Sequence, residues 1–220
     1  MKRVPTRELL DDDNGTPAEI AASLDDLRAI NRRWGGVSTT EKMVEQVAAV
    51  TGKSSFSLLE VASGTGDVPH ELRARLEPRG IRLRFTLLDR SRAHLLNGDS
   101  LVIGDGLRLP FEDASFDLVS CGLFAHHLSP EEVVRFAREA LRCSSIALLI
   151  NDLIRDPIHL AMVYLGCLSF RSRITRHDAP ASVRQAYTID EMQRMLSEAG
   201  ARRVEIAQHY LYRMGAIAWK

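Results

Sequence analysis

Short apolar runs alternate with segments of helical periodicity along most of the chain. The apolar runs have the length and content of buried strands, whereas the segments between them repeat their apolar residues at helical spacing. Strands that alternate with helices indicate parallel βαβ units with right-handed crossovers. The predicted strands of this region are 56–61, 82–88, 101–103, 116–122 and 146–150, and the predicted helices are 67–77, a short one opening at Ser91 and one beginning at Ser129-Pro130.

The region before the first strand predicts two helices behind a short leader. Residues 1–17 carry no periodicity and end in turn-forming residues, so we expect them to be frayed. Apolar residues then recur at helical spacing over 17–31. A second helix is expected between an N-cap at Ser38 or Thr39 and a stop at Gly52.

The region after the fifth strand is less regular. A helical, apolar pattern covers 157–170, whereas 171–184 is polar and basic and is expected to be a loop. A capping box at 188–191 predicts a further helix. Two final strands, 202–208 and 210–219, are expected to form an antiparallel hairpin at one edge of the sheet.

The clearest chemical signal lies where the first strand ends. Leu58 to Val61 runs into the small-residue turn Ala62-Ser-Gly-Thr-Gly66, and a helix follows from Asp67. Small residues let a backbone come close to a ligand, and a helix N-terminus offers free N–H groups. Glu60, a carboxylate inside the strand end, distinguishes the segment from a dinucleotide-binding turn. A tight turn without any ligand is the alternative.

Two more carboxylates follow the next two strands. Asp89 ends the second strand, where a carboxylate can accept hydrogen bonds from both hydroxyls of a ribose. Asp105 lies in Ile103-Gly-Asp-Gly-Leu-Arg-Leu-Pro-Phe111, and 113–119 reads Asp-Ala-Ser-Phe-Asp-Leu-Val. Each carboxylate alone also suits an ordinary strand end or turn. Three of them at successive strand tips indicate one nucleoside site.

Taken in series, these segments resemble the motifs of class I S-adenosylmethionine-dependent methyltransferases. The resemblance is specific over 38–150 and is nearest the small-molecule branch related to the ubiquinone and menaquinone methyltransferases. It implies S-adenosylmethionine as cofactor, S-adenosylhomocysteine as product, and a contact of Asp105 with the adenine amino group. Ala62 stands where the motif has its first glycine, which an alanine can replace if its φ is negative. The cofactor-binding residues that the resemblance implies are Arg33, Glu60, Ala62, Ser63, Gly64, Gly66, Asp89, Arg90, Gly104, Asp105, Gly106 and Cys121.

The pattern and the resemblance together define the expected architecture. We expect an α/β fold with a Rossmann-like, doubly wound, mostly parallel seven-stranded sheet, an antiparallel C-terminal hairpin and an N-terminal helical cap. A single methyltransferase domain spans 1–220, in which 1–37 form the cap and 153–187 form a lid insertion over the acceptor.

A proton acceptor is expected after the fourth strand or at the end of the fifth. A neutral hydroxyl or amine must lose a proton when it is methylated, and histidine has a suitable pKa for this work. His126 and His127 are therefore candidate bases, with helix capping or core packing as their alternative roles. Asp152 is a candidate for orienting the substrate, or else an N-cap.

The lid insertion supplies the candidate substrate residues. These are His159, Tyr164 and Arg173, in a segment with enough apolar side chains to suit an aromatic or alkyl acceptor. No metal is expected, because Asn151-Asp152 lacks further acidic ligands at matching places. The expected reaction is methylation of a small phenolic or quinone-like metabolite, as in secondary metabolism.

The composition limits the expected binding partners and cellular compartment. Basic and acidic residues balance at 29 each, so neither a nucleic acid nor a membrane is an expected partner. The three cysteines have no CxxC spacing and the N-terminus has no apolar signal segment, which favours a reduced, cytoplasmic protein. A monomer or a homodimer is expected.

Three other functions stay open at this stage. A nicotinamide-dependent oxidoreductase would carry G-x-G-x-x-G, which 62–67 does not match. A non-catalytic S-adenosylmethionine-binding protein would keep the same three carboxylates. A nucleic-acid methyltransferase would carry an Asn/Asp-Pro-Pro-Tyr-type loop after the fourth strand, where this chain has Cys121-Gly-Leu-Phe.

Overall fold

The computed structural model describes residues 1–12, 14–90 and 100–220. The strands are β1 Ser55–Val61, β2 Arg82–Asp89, β3 Ser100–Ile103, β4 Phe116–Gly122, β5 Ser144–Leu153, β6 Arg203–His209 and β7 Arg213–Trp219. The α-helices are α1 Pro17–Arg33, α2 Gly36–Thr51, α3 Asp67–Leu76, α4 Pro130–Cys143, α5 Pro157–Gly166, α6 Arg173–Gln185 and α7 Ile189–Glu198. The short helix expected at Ser91 lies outside the described residues.

All seven strands belong to one sheet of order β3-β2-β1-β4-β5-β7-β6. The first five pair in parallel, and β7 pairs antiparallel with both β5 and β6. The predicted fold class is therefore confirmed. The order reverses between β1 and β4, and the crevice outside the carboxyl ends of strands at such a point is where α/β sheets bind ligands.

The two faces of the sheet carry separate cores. One core joins Leu59 and Ile150 to α4 and α7, and Phe136 of α4 is fully buried in it. The other joins Leu58 and Leu149 to α2 and α3. Neighbouring strand residues point to opposite cores because side chains alternate along a strand. The two cores therefore explain why these strands read as continuous apolar runs.

The helix boundaries follow the capping signals in most places. Ser129 and Thr188 each form a reciprocal capping box with the residue three positions on, as expected for α4 and α7. The start of α2 differs from the prediction. Gly35 is its N-cap, so Ser38 and Thr39 lie inside the first turn.

The segment 171–184, expected to be a loop, forms most of helix α6. Ser172 caps this helix by accepting a hydrogen bond from the backbone N–H of Ile174 at 3.2 Å. Asp26 of α1 accepts from the backbone N–H groups of Arg171 and Ser172 just before it. The helix buries one face, with Ile174 and Val183 fully inaccessible. Long-range contacts of this kind override a polar local pattern.

The first eleven residues, here called the N-terminal strap, are not frayed as expected. Arg3 donates hydrogen bonds to the backbone oxygens of Gln185, His126 and Leu128 at 2.6, 3.0 and 2.8 Å. Asp178 of α6 accepts from the backbone N–H groups of Leu9 and Leu10 at 2.9 and 3.0 Å. The strap therefore lies along α6 and reaches the end of β4.

The C-terminal half of α1 contacts α3, where Arg28 and Arg32 form ion pairs with Asp67 and Glu71. None of the described helices is long and apolar enough to cross a bilayer.

The three cysteines are free thiols. The division into a 1–37 cap and a 153–187 lid stays a prediction.

Candidate active site

The turn after β1 has an unusual backbone. Ala62, Gly64 and Gly66 all have positive φ, at 54°, 51° and 73°. The expectation of a negative φ at Ala62 was therefore wrong, and this alanine occupies a conformation that costs an L-residue about 1–2 kcal/mol. Gly66 has a φ of 73°, and a Cβ there would lie 2.7 Å from Leu87 Cδ1, so any other residue would be strained and would displace the Leu87 side chain.

The tips of β1, β2 and β3 meet around this turn. The backbone N–H of Gly64 donates to Asp89 Oδ2 at 2.9 Å, and the N–H of Ser63 donates to the Leu88 carbonyl at 3.1 Å. The N–H of Gly104, which follows β3, donates to the Asp89 carbonyl at 3.1 Å. The structure thus brings together the turn, Asp89 and the segment that carries Asp105.

The turn fits a nucleoside cofactor on two counts. Ser63 Oγ is buried and has no hydrogen-bond partner among the described residues, so it has capacity for a ligand group. At Gly64, in the turn itself, no atom of the described residues other than its two chain neighbours lies within 4 Å of the position that a Cβ would take. The backbone there is therefore open to a ligand.

Glu60 is a buried carboxylate with an unusual pKa. It lies opposite Ser120 in the β1–β4 register and is 5% exposed. Burial raises its pKa to about 7, while a hydrogen bond from Ser120 acts in the opposite direction. Cys121 is the next residue of β4 and is also buried, which raises the pKa of its thiol. A raised carboxylate pKa at a strand tip is typical of a functional site.

Three other predicted cofactor residues lie nearer to solvent. Asp105 is exposed, and its Oδ1 accepts from the Leu107 backbone N–H at 2.9 Å. Arg90 is exposed and donates to the Asp11 carbonyl of the strap at 3.1 Å. Arg33 is exposed in the last turn of α1. Of these, Arg90 joins the end of β2 to the strap.

The two histidines after β4 have different surroundings. His126 is 2% exposed, and its Nδ1 bonds Asp152 Oδ1 at 2.6 Å, while its backbone N–H donates to Asp152 Oδ2 at 3.0 Å. His127 is partly exposed, and its Nδ1 bonds Asp11 Oδ2 at 2.9 Å. Asp152, the candidate for orienting the substrate or capping a helix, holds the His126 ring through these two bonds.

The strap supplies a residue that the sequence did not indicate. Glu8 is buried, and its Oε1 lies 3.5 Å from His126 Nε2. Ser182 and Gln185 of α6 each donate to that Glu8 oxygen at 2.6 Å. His126 is therefore enclosed between two carboxylates, one from β5 and one from the strap.

These charges set the pKa values of the cluster. Burial alone would lower the pKa of His126, but Asp152 and Glu8 outweigh it and raise the pKa to about 10. Burial alone would raise the pKa values of Glu8 and Asp152, but the nearby His126 outweighs it and both are lowered. His126 therefore lies between two carboxylates that favour its protonated form.

Arg213 is a second residue that the sequence did not indicate. It begins β7, is 2% exposed, and donates to the Trp34 carbonyl at 3.3 Å and to Asn31 Oδ1 at 3.2 Å. Burial lowers its pKa to about 10, while the charge of Asp152 acts in the opposite direction. Its signal in the sequence is an arginine that precedes an otherwise apolar strand.

The predicted substrate residues do not form one group. His159 is buried, donates from Nδ1 to the Ile154 carbonyl at 2.9 Å and stacks on Tyr212 with ring centroids 5.2 Å apart. Tyr164 is exposed and accepts from Arg184. Arg173 is exposed and paired with Glu19 of α1. Each of the three side chains has different partners, and none of these partners is another of the three.

Comparison with known proteins agrees with this geometry. Residues 59–145 match the Methyltransf_11 family model, described as a methyltransferase domain. The solved structure of the plantazolicin methyltransferase BpumL in complex with SAH has a TM-score of 0.71 and 14% identity, covering 96% of this chain and 93% of that chain. BpumL with a monoazolic desmethylPZN analog and SAH gives a TM-score of 0.70 and 14% identity, over 96% and 92% of the two chains.

A more distant likeness is to a SAM-dependent methyltransferase from Aquifex aeolicus, with a TM-score of 0.54, 16% identity and coverage of 81% of this chain and 88% of that chain. No curated protein matches the chain by sequence. The fold is that of class I methyltransferases. Residues 59–145 match a methyltransferase domain, and the strand-tip site fits S-adenosylmethionine, the methyl donor of that class.

Proposed function

We propose that this enzyme methylates a hydroxyl group of a small phenolic or quinone-like metabolite, with His126 as the general base and Asp152 as the residue that positions it. The buried His126–Asp152 pair at the ends of β4 and β5 carries the proposal. A phenolic or enolic hydroxyl must lose its proton as it is methylated, and a carboxylate-oriented imidazole is suited to take it. The proposed roles follow from this pair.

The ring of His126 has one nitrogen for this chemistry. Nδ1 donates to Asp152, which leaves Nε2 to accept the proton. S-adenosylmethionine supplies an electrophilic methyl group on a sulfonium centre when it is bound. The acceptor oxygen would take that methyl group as the carbon–sulfur bond breaks, with S-adenosylhomocysteine as the leaving group, and the proton of the hydroxyl would move to His126 Nε2. The ion pair with Asp152 stabilises the imidazolium that results.

Glu8 lies against His126 Nε2, so it must leave before an acceptor hydroxyl can reach that nitrogen. Glu8 is bound to the rest of the protein through polar contacts with Ser182 and Gln185. We propose that the acceptor hydroxyl takes the place of the Glu8 carboxylate against Nε2. The strap then opens and closes in each turnover, as active-site lids do.

The surface beside this cluster favours an apolar acceptor. Helix α5 and the turn after it expose a row of large apolar side chains, and Leu168 is 88% exposed. Exposed apolar side chains in a group mark a binding surface more often than chance. The exposed apolar residues of this surface are Ile158, Met162, Tyr164, Leu165 and Leu168.

A peptide amine is the second candidate acceptor. BpumL, whose structures cover nearly the whole of this chain, is described as a plantazolicin methyltransferase and was solved with a desmethylPZN analog. The likeness extends beyond residues 59–145 and so includes the cap and lid regions. An amine needs the same proton acceptor, so the two candidates differ in the shape of the acceptor and not in the base.

A transfer assay with labelled S-adenosylmethionine tests the proposal. The panel holds phenols, hydroquinones and azole peptides with a free amine, and the variants are His126→Asn and Asp152→Asn. We expect a phenol or hydroquinone to be the better acceptor, and kcat to fall about 10²–10⁴-fold in His126→Asn while the affinity for S-adenosylhomocysteine stays within about 3-fold of the parent.

His127→Asn is the matched control, because this neighbouring ring is partly exposed and pairs with the strap. Its kcat should change only a few-fold, or rise. If His126→Asn retains full turnover, the base assignment is wrong. If only amine acceptors are methylated, the second candidate replaces the first.

A further inference from the structure

The end of β4 and the N-terminal strap bring three metal-binding side chains together. Glu8, His126 and His127 each offer a ligand atom, and these atoms lie within 4.8 Å of one another. Glu8 Oε1 and His126 Nε2 are 3.5 Å apart, close to the roughly 3.3 Å that separates two ligands on a tetrahedral zinc ion with bonds of about 2.0 Å. Two imidazoles and one carboxylate are ligands typical of divalent transition metals.

The residues behind the two histidines are the second observation. Asp152 bonds His126 Nδ1 at 2.6 Å, and Asp11 bonds His127 Nδ1 at 2.9 Å. A histidine that binds a metal through one nitrogen almost always donates the other N–H to such a carboxylate or carbonyl, which fixes the ring. Both rings carry this support, and the Nε2 atoms are left as the ligands.

The third ligand is equally well supported. Glu8 is buried, and Ser182 and Gln185 each donate to its Oε1 at 2.6 Å. The cluster contains three carboxylates, Glu8, Asp11 and Asp152, around two imidazoles.

We propose that Glu8, His126 and His127 form a binding site for a divalent transition-metal ion, with Zn²⁺ as the probe ion and with Asp152 and Asp11 as its outer carboxylates. This proposal differs from the expectation, based on the sequence alone, that the chain binds no metal. The residues that the sequence offered for a metal were Asn151 and Asp152, whereas Glu8 is brought to the histidines only by the folded strap.

The site joins the strap to the end of β4. A bound ion links Glu8 of the strap to His126 and occupies its Nε2, so the strap stays closed while the ion is present. The consequence for turnover rests on the proposed function: an ion on Nε2 prevents His126 from accepting the acceptor proton, and inhibition is relieved by a chelator. Binding of the ion itself does not depend on that function.

A Co²⁺ titration of the full chain without an affinity tag, followed by visible absorption, tests the site, with Zn²⁺ stoichiometry measured by equilibrium dialysis. We expect one equivalent of metal per chain, with the absorption bands of four-coordinate Co²⁺. Glu8→Gln and His127→Gln should each weaken binding at least about 10-fold, and Asp11→Asn should weaken it about 10–100-fold through its outer-carboxylate role.

Glu19→Gln is the matched control, because Glu19 is a carboxylate of α1 that pairs with Arg173 outside the cluster. It should bind Co²⁺ as the parent chain does. Binding of S-adenosylhomocysteine, measured on each variant, reports that the fold is intact. The proposal is overturned if the parent chain takes up no stoichiometric metal, or if Glu8→Gln binds it as tightly while still binding S-adenosylhomocysteine. If the parent chain does not bind S-adenosylhomocysteine, that result counts against the proposed function and not against the metal site.

Discussion

The turn after β1 and the N-terminal strap lie at the same edge of the sheet, but they are held there by different contacts. The hydrogen-bond partners around the turn come from adjacent strands. The Gly64 N–H donates to Asp89 of β2, and Glu60 lies opposite Ser120 of β4. The strap is held by α6, a helix from the other end of the chain, through Asp178 and Gln185. One region is built by neighbours in the βαβ order and the other by long-range polar contacts.

The two regions also differ in how much apolar surface they bury. Leu59 and Val61 of β1 and Leu88 of β2 are within 1% of full burial, next to the turn. Among the described residues before Val37, no apolar side chain is fully buried. A segment held by polar contacts without core burial opens at a lower free-energy cost than a core strand. The cofactor side is therefore rigid, and the strap is suited to open for the acceptor.

The largest effect on the cofactor side is expected from Asp89→Asn. The substitution removes a carboxylate that fixes the Gly64 N–H and, by the resemblance to class I methyltransferases, accepts the ribose hydroxyls. We expect the Kd for S-adenosylhomocysteine, measured by isothermal titration calorimetry, to rise about 100-fold, or about 2.7 kcal/mol.

Asp113→Asn is the control for this change, since Asp113 is an exposed carboxylate paired with Arg142 before β4. It should leave the Kd unchanged. An Asp89→Asn variant with the parent affinity would show that this strand tip does not bind the nucleoside, and the contrast between the two regions would lose its functional meaning.

The parallel part of the sheet was predictable because its signals are local. Each of the first five strands was expected within a few residues of its observed bounds, and the capping boxes at Ser129 and Thr188 set the starts of α4 and α7. The motifs at β1, β2 and β3 predicted a common site because parallel strand ends must meet at one edge of the sheet. These inferences needed only sequence neighbours and the rules of βαβ connection.

The strap, α6 and the buried charges were not predictable in the same way. The leader reads as frayed because its stability comes from Arg3 and Glu8, whose partners lie near the other end of the chain. The segment 171–184 reads as a loop because its helix depends on Asp26 and on burial against the cap. His126 and Asp152 were expected as separate candidates, and their pairing needed the β4–β5 register.

A smaller effect is expected from the pH dependence of Glu60→Gln. Burial raises the pKa of Glu60 to about 7 from 4.5 in the unfolded chain, so the folded protein binds more protons between these values. The contribution of this group to the free energy of unfolding is therefore greatest below about pH 4.5 and is lost as the pH rises through 7. Glu60→Gln should be more stable than the parent at pH 8, by on the order of 1–3 kcal/mol, with no difference near pH 4.5.

Denaturant unfolding at both pH values measures the difference in free energy of unfolding between Glu60→Gln and the parent. Asp117→Asn, at the opposite end of β4, is the contrasting control. Burial would raise the pKa of Asp117, but Lys53 and Ser57 outweigh it and lower the pKa. Its loss should therefore destabilise the protein at pH 8. S-adenosylhomocysteine carries an ammonium group, so Glu60→Gln should also weaken its binding at pH 8. Equal stability of Glu60→Gln and the parent at both pH values would contradict a buried, charge-destabilised Glu60.

The smallest effect is expected from Ala62→Gly, and the chain contains a matched control for it. Ala62 and Ala114 both have a φ of 54°, the first in the cofactor turn and the second in the loop before β4. Glycine relieves the left-handed backbone strain of the folded state, which is about 1–2 kcal/mol. It also gives the unfolded chain more conformational entropy, which lowers the free energy of unfolding by about 0.4–1 kcal/mol. Each variant should therefore gain about 0.5–1 kcal/mol in free energy of unfolding.

The two variants should differ in one respect. Ala114→Gly should leave the affinity for S-adenosylhomocysteine unchanged, because Ala114 contacts α4 through the Arg142 carbonyl. Ala62→Gly restores the glycine of the methyltransferase motif and should shift the Kd by no more than about 3-fold, since the backbone already has the conformation that the motif requires. If Ala62→Gly instead destabilises the protein while Ala114→Gly stabilises it, the Ala62 methyl group contributes packing in the turn that outweighs its backbone strain.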